Sequence, residues 1–188
     1  MTESFLESNE THDAKVLAGW RWLVFIIRSL HPLLRMVSIL LLVVGWSVSK
    51  LEWPGFYLIP GDVAWLVDSR AVGHLVGMTG VVVFMCAFAL LAPIIQKDFE
   101  RRKKSRWPIY WVSKYSLRLS RWAPFLSALL VGFILSLAWE LLIQPFIMVY
   151  LGPARGWVQW AQVLCDGVGI TIGSALAKTL VLRFRKFN

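Results

Sequence analysis

Six polar residues stand in otherwise apolar surroundings: His74, Glu140, Gln144, Arg155, Gln162 and Asp166. A histidine with two carboxylates can shuttle protons as acid and base or ligate a divalent metal. An arginine beside them can meet a phosphate or carboxylate, while the acids accept hydrogen bonds from sugar or amide groups. Glu140 and Asp166 lie inside segments that otherwise look made for lipid. A carboxylate there costs roughly 2.5–3.5 kcal/mol at mid-helix, which makes such residues functional-site candidates by default. The competing reading is a structural lock in which the acids pair with Arg155. Nothing resembles HExxH, GxSxG or a phosphate-cradling loop, and no serine or cysteine has an evident partner base.

The elements that must hold these residues follow from composition. The chain has 188 residues, 57% hydrophobic and 16% charged, with a mean hydropathy of +0.62. Soluble domains carry about 25% charged residues. The expected fold class is therefore all-α, an integral membrane four-helix bundle. Four spans are expected at about 33–50, 71–95, 122–150 and 157–182, with a kink at Pro145. Gly73 and Gly77 in span 2, and Gly169 and Gly173 in span 4, form GxxxG pairs that permit close helix packing. Cys86 and Cys165 fall inside apolar spans and are expected as free, buried thiols.

Between the spans the reading is interfacial. Residues 1–15 are polar and acidic, without a basic leader region, so a disordered tail and no secretory signal peptide are expected. Residues 16–188 then form a single membrane domain. Residues 16–30 are apolar but carry Arg21 and Arg28, which suits an amphipathic helix on the membrane surface. The loop 51–70, rich in Pro, Gly and aromatic residues, is expected to hug the interface. A second interfacial helix is expected between spans 2 and 3. Lipid-surface contacts are assigned there to Arg101, Arg102, Lys103, Lys104, Lys114, Arg118 and Arg121.

Charge sets the expected orientation. Segments 1–35, 96–121 and 178–188 hold 17 of the 20 Lys and Arg. With four spans, both termini and the long basic loop are then cytoplasmic, and the turn at Arg155 faces outward. The formal net charge of +9 is read as topology and attraction to anionic lipid head groups rather than to nucleic acid. Gln144 and Gln162 lie one turn outward of Glu140 and Asp166 on the same helix faces. The six polar residues thus converge in the outer half of the bundle, as a polar pocket open to the outer face.

Three segments carry a family resemblance. VGHLVGM resembles the His-bearing second span of the VanZ-like membrane proteins. ELLIQ with the following Arg turn resembles their Glu- and Gln-bearing third span and Arg loop. QVLCDGVGITIG is similar to their last-span pattern Asp-Val-x-x-Asn-x-x-Gly-x-x-x-Gly. The resemblance covers about residues 70–173. It departs in three places: Glu140 and Gln144 stand one residue further apart, Gln162 and Asp166 occupy the family's Asp and Asn positions, and Arg70 precedes His74 by four residues rather than three. The resemblance implies a bacterial inner-membrane protein of the cell envelope, linked to teicoplanin (glycopeptide) resistance, with no named reaction.

Three functions compete. The favoured one is a binding protein or modulator whose outward pocket holds an envelope or lipid-linked ligand, or confers glycopeptide tolerance. A second is a membrane-embedded enzyme using His74, Glu140 and Asp166. A third is a small assembly subunit, so an oligomer or larger membrane complex is a possible partner. No cofactor is expected; a divalent metal at His74, Glu140 and Asp166 is the less favoured alternative.

Overall fold

Prolines set two of the helix starts, and an aspartate sets a third. The computed structural model describes residues 24, 27–51, 57–59, 61–92, 118–120, 123–147 and 153–184. The chain divides into two compact units, Met1–Leu30 and His31–Asn188, and the long helices belong to the second. Helix α1 (Pro32–Ser49) and helix α3 (Pro124–Ala138) begin on proline, whose missing N–H is one of the donors a helix start leaves unpaired anyway. Helix α2 (Ser69–Ala89) is capped by Asp68, whose Oδ1 accepts from the amides of Arg70 and Ala71, both at 3.0 Å. Two short strands, β1 (Tyr57–Ile59) and β2 (Val67–Asp68), pair antiparallel just ahead of that cap. The strand pair is an addition to the expected all-α class.

Span 3 is not simply kinked at its proline. After α3 comes a π-helical turn, Trp139–Ile143, then a short α4, Gln144–Phe146. Pro145 has no N–H to return to the preceding turn. The helix widens just before it, and Gln144 N–H bonds Trp139 O, five residues back. Helix α5 (Trp160–Phe184) completes the set. Among the described residues, four helices, Pro32–Ser49, Ser69–Ala89, Pro124–Phe146 and Trp160–Arg183, are long and apolar enough to cross a membrane.

Their burial pattern is inverted relative to a water-soluble domain. Glu140, Gln144, Gln162, Asp166, Ser38, Ser136 and Thr79 are buried. Met36, Leu40, Trp46, Ile134, Leu142, Phe146 and Leu164 are exposed. Large contiguous apolar surface is rare on soluble monomers, and a lipid surround accounts for it.

Helix α2 is the central member, packing extensively on α1 and on α5, with α3 on both α2 and α5. Glycines make the first two contacts close. A Cβ on Gly45 would lie 2.8 Å from Gly77 Cα, and one on Gly73 would lie 2.6 Å from Ser49 Cβ. On the other side of α2, a Cβ on Gly169 would strike the backbone of Leu75, and one on Gly173 would lie 2.6 Å from Thr79 O. Thr79 Oγ1 lies 3.1 Å from Gly169 O, and Ser174 Oγ donates to Phe125 O at 3.1 Å. Gly77 differs from the other three: a Cβ there would meet nothing, and it is Gly45, whose Cβ would strike the Gly77 backbone, that the approach requires. Of the two GxxxG pairs, Gly73, Gly169 and Gly173 are thus used within the chain. Cys86 is buried and Cys165 half-buried, both free.

Several expectations fall on other parts of the chain. The tail 1–15, most of the amphipathic segment 16–30, and Arg101, Arg102, Lys103, Lys104, Lys114 and Arg121 lie outside the described residues. Arg118 is described; it is helical and exposed.

Candidate functional site

The end of the bundle that carries β1 and β2 is tied together by its loops. After α4 the chain returns, and Arg155 N–H donates to Gln144 O while Gly156 N–H donates to Pro145 O, both at 2.9 Å. These are carbonyls that a helix end leaves open. Ala161 N–H, in the first turn of α5, donates to Ala64 O at 3.1 Å. Trp65 stacks on Trp160, ring centroids 6.2 Å apart. The Arg155 guanidinium sits 5.1 Å from the Trp157 ring centre, a cation–π contact.

This clamp makes the position of Arg155 a property of its backbone as well as its side chain. Gly156 holds φ at +79°, and nothing surrounds the place a Cβ would take. Gly156→Ala should therefore cost only the backbone penalty, about 1–2 kcal/mol. Thermal unfolding of the purified protein should show a small downward shift. No shift would mean that the clamp tolerates another turn.

From Arg155 a continuous chain of polar groups runs inward. Arg155 Nη2 donates to Gln144 Oε1, and both terminal nitrogens donate to Gln162 Oε1 at 3.3 Å. Gln144 Nε2 in turn donates to Glu140 Oε1 at 2.7 Å. Arg155 Nη1 is 4.0 Å from Glu140 Oε2. His74 Nδ1 lies 3.5 Å from Glu140 Oε1 and 3.0 Å from Asp166 Oδ1. Ser136 Oγ donates to Asp166 Oδ2 at 2.7 Å. Glu140 and Gln144 are 0% exposed, and Gln162 and Asp166 1%. All six residues singled out in the sequence therefore meet in one buried network.

Ser136 was not among them. Its signal was present, because Ser136, Glu140 and Gln144 recur every four residues along one helix face. The π-helical turn at Glu140 is the other unread feature. Such turns are frequent at functional sites, but periodicity in an apolar segment does not announce them.

The network borders a cavity of about 370 Å³. Its polar end is His74, Ser136 and Asp166. Its other walls are Met78 and Val81 on α2, Leu135 and Ala138 on α3, and Trp139 and Ile143 on the π-helical turn. His74 to Val81 is seven residues, so this cavity extends about 10 Å along α2. On span 3 its lining runs from Leu135 to Ile143, next to Gln144, so it reaches both sides of the polar groups, whereas Arg155, Gln144 and Gln162 knit together on the loop side. Those three residues do not line it. The cavity is mostly apolar, and His74, Ser136 and Asp166 are its polar lining. Arg155 spends its donors on two glutamines, so the groups presented to the cavity are a histidine, a hydroxyl and a carboxylate.

Fold and site together define a class: a mostly helical protein with four helices long and apolar enough to span a membrane, and a buried His–Glu–Asp–Arg network among them. No family profile, curated protein or solved structure matches the chain.

Proposed function

We propose that this chain is a VanZ-like multi-pass protein of a bacterial inner membrane that binds an amphipathic, lipid-linked envelope ligand, and through it modulates the envelope or confers glycopeptide tolerance. One observation carries this reading. A cavity of about 370 Å³ with apolar walls ends on His74, Ser136 and Asp166. That volume falls in the range of about 300–1,000 Å³ usual for small-ligand sites. A lipid tail fits along Met78, Val81 and Leu135. A head group rich in hydroxyl or amide donors suits the acceptor oxygens of Asp166 and Ser136. The uneven placement of Lys and Arg supports cytoplasmic termini. The polar end of the cavity and Arg155 then belong to the outer half.

The cavity offers its own test, because it can be filled without touching the network. Val81→Phe should reduce co-purifying lipid at least several-fold, read as lipid adducts by native mass spectrometry after mild extraction. Arg155→Ala should reduce it too, by loosening His74 and Glu140. Wild-type protein without lipid adducts, or equal adducts in all three proteins, would refute the binding reading. The same spectra give the oligomeric state, and so address a role as an assembly subunit.

A further inference from the structure

The geometry points to a divalent metal site formed by His74, Glu140 and Asp166, of the zinc or manganese type. One ligand atom from each of these residues lies within 4.8 Å of the others. His74 Nδ1 is 3.0 Å from Asp166 Oδ1 and 3.5 Å from Glu140 Oε1. An ion with bonds of about 2.1 Å to N and O donors sets neighbouring donors ~3.0 Å apart in an octahedron and ~3.4 Å apart in a tetrahedron. The two His74 spacings fall close to the octahedral and the tetrahedral edge respectively, and the third, Glu140 to Asp166, lies within 4.8 Å. One imidazole with two carboxylates is a donor set that suits zinc or manganese.

Hydrogen bonding alone leaves this cluster incomplete. His74 Nδ1 carries at most one proton, yet two carboxylate oxygens stand within 3.5 Å of it. Glu140 Oε2 is fully buried and has no hydrogen-bond partner among the described residues. The nearest cation in the network, Arg155 Nη1, is 4.0 Å away. A buried polar atom without a partner is costly, and a charged one more so. A cation held by both oxygens of Glu140 would give Oε2 the partner that the hydrogen bonds do not, beside Oε1, which faces His74.

The surroundings also fit. Metal-ligating carboxylates are held by outer partners that fix their orientation. Here Gln144 holds Glu140 through Oε1, and Ser136 holds Asp166 through Oδ2. The three ligands come from three different helices, α2, the π-helical turn and α5, so an ion would also join the helices. The cavity reaches His74 and Asp166, which leaves room beside them for a water or a ligand oxygen, as open metal sites require.

This inference shares residues with the binding reading but does not need the cavity to be filled. Its test is metal content, on full-length protein in detergent that has been stripped by chelator and reloaded with Co²⁺ or Zn²⁺. Close to one ion per chain is expected, with a Co²⁺ visible absorption band. Asp166→Asn and Glu140→Gln should each weaken binding at least tenfold, and Ser136→Ala by about ten- to a hundredfold. Trp46→Ala, on the exposed face of α1, should bind as wild type does. Elution as a single folded species is checked for each variant. Wild-type protein that takes up no Co²⁺ overturns the site, whatever the variants do. So does metal content unchanged in both Asp166→Asn and Glu140→Gln. Lipid adducts measured on the same preparations report separately on the binding reading, so either can fail alone.

Discussion

Arg155→Ala should unfold at a temperature roughly 6–12 °C below wild type, from a loss of about 3 kcal/mol at ~2–4 °C per kcal/mol for a chain of this size. The side chain bridges Gln144 and Gln162 and stands 4.0 Å from Glu140 Oε2. Its removal leaves a fully buried carboxylate without that cation and two buried glutamine oxygens without their donor. Breaking a buried charge network from one side is what costs most, because the remaining charge stays buried. Arg155→Lys should fall between the two. A single ammonium replaces the charge but cannot repeat a planar fork that reaches two glutamines at once. The measurement is tryptophan fluorescence during heating of the detergent-purified protein, which has eleven tryptophans to report. Equal unfolding temperatures for wild type and Arg155→Ala would show that the network does not hold the bundle.

Gly169→Leu should be comparably damaging, for a steric reason rather than an electrostatic one. A Cβ at residue 169 would meet the backbone carbonyl of Leu75, which cannot rotate away as a side-chain end could. The contact between α2 and α5 would have to open. Overpacking typically costs about 1–3 kcal/mol, and here it would also break the reach of Thr79 Oγ1 to Gly169 O. Because α2 carries His74 and α5 carries Asp166, the 3.0 Å spacing between them should widen. The variant is therefore expected to lose both thermal stability and metal uptake. Gly77→Ala is the matched control: a Cβ there meets nothing, and its unfolding temperature should stay close to wild type. Equal behaviour of the two variants would contradict the assigned helix contact.

The parts of this account that sequence made legible share one cause. In lipid-compatible segments a polar residue is conspicuous, and His74, Glu140, Gln144, Arg155, Gln162 and Asp166 were conspicuous against Leu, Val and Ile. Their meeting point followed from helical rise and from counting spans. The glycine spacing likewise announced close packing, although which neighbour each pair meets is a tertiary fact. Gly45, which completes the α1–α2 contact, belongs to no GxxxG pair.

What stayed hidden has its own physical reasons. The π-helical turn depends on how Pro145 displaces a hydrogen bond to the turn before it, and not on apolar periodicity. The strand pair β1–β2 is set by two very short runs in a loop whose composition signals only turns. The cavity is an absence of atoms between α2, α3 and α5. Its walls, Met78, Val81 and Leu135, are ordinary residues for an apolar helix and carry no signal in one dimension. Which apolar side chains border the polar network was therefore the least legible feature.

A photoreactive lipid carrying its reactive group in the tail, incorporated with the purified chain into a lipid bilayer disc, should cross-link to the cavity walls. Peptide mapping should place the adducts at Met78, Val81 or Ile143, and unlabelled lipid-linked ligand should compete them away. Labelling confined to the outward-facing Ile134, Leu142 and Phe146, and indifferent to competitor, would mean that lipid surrounds this bundle but does not occupy the cavity beside His74 and Asp166.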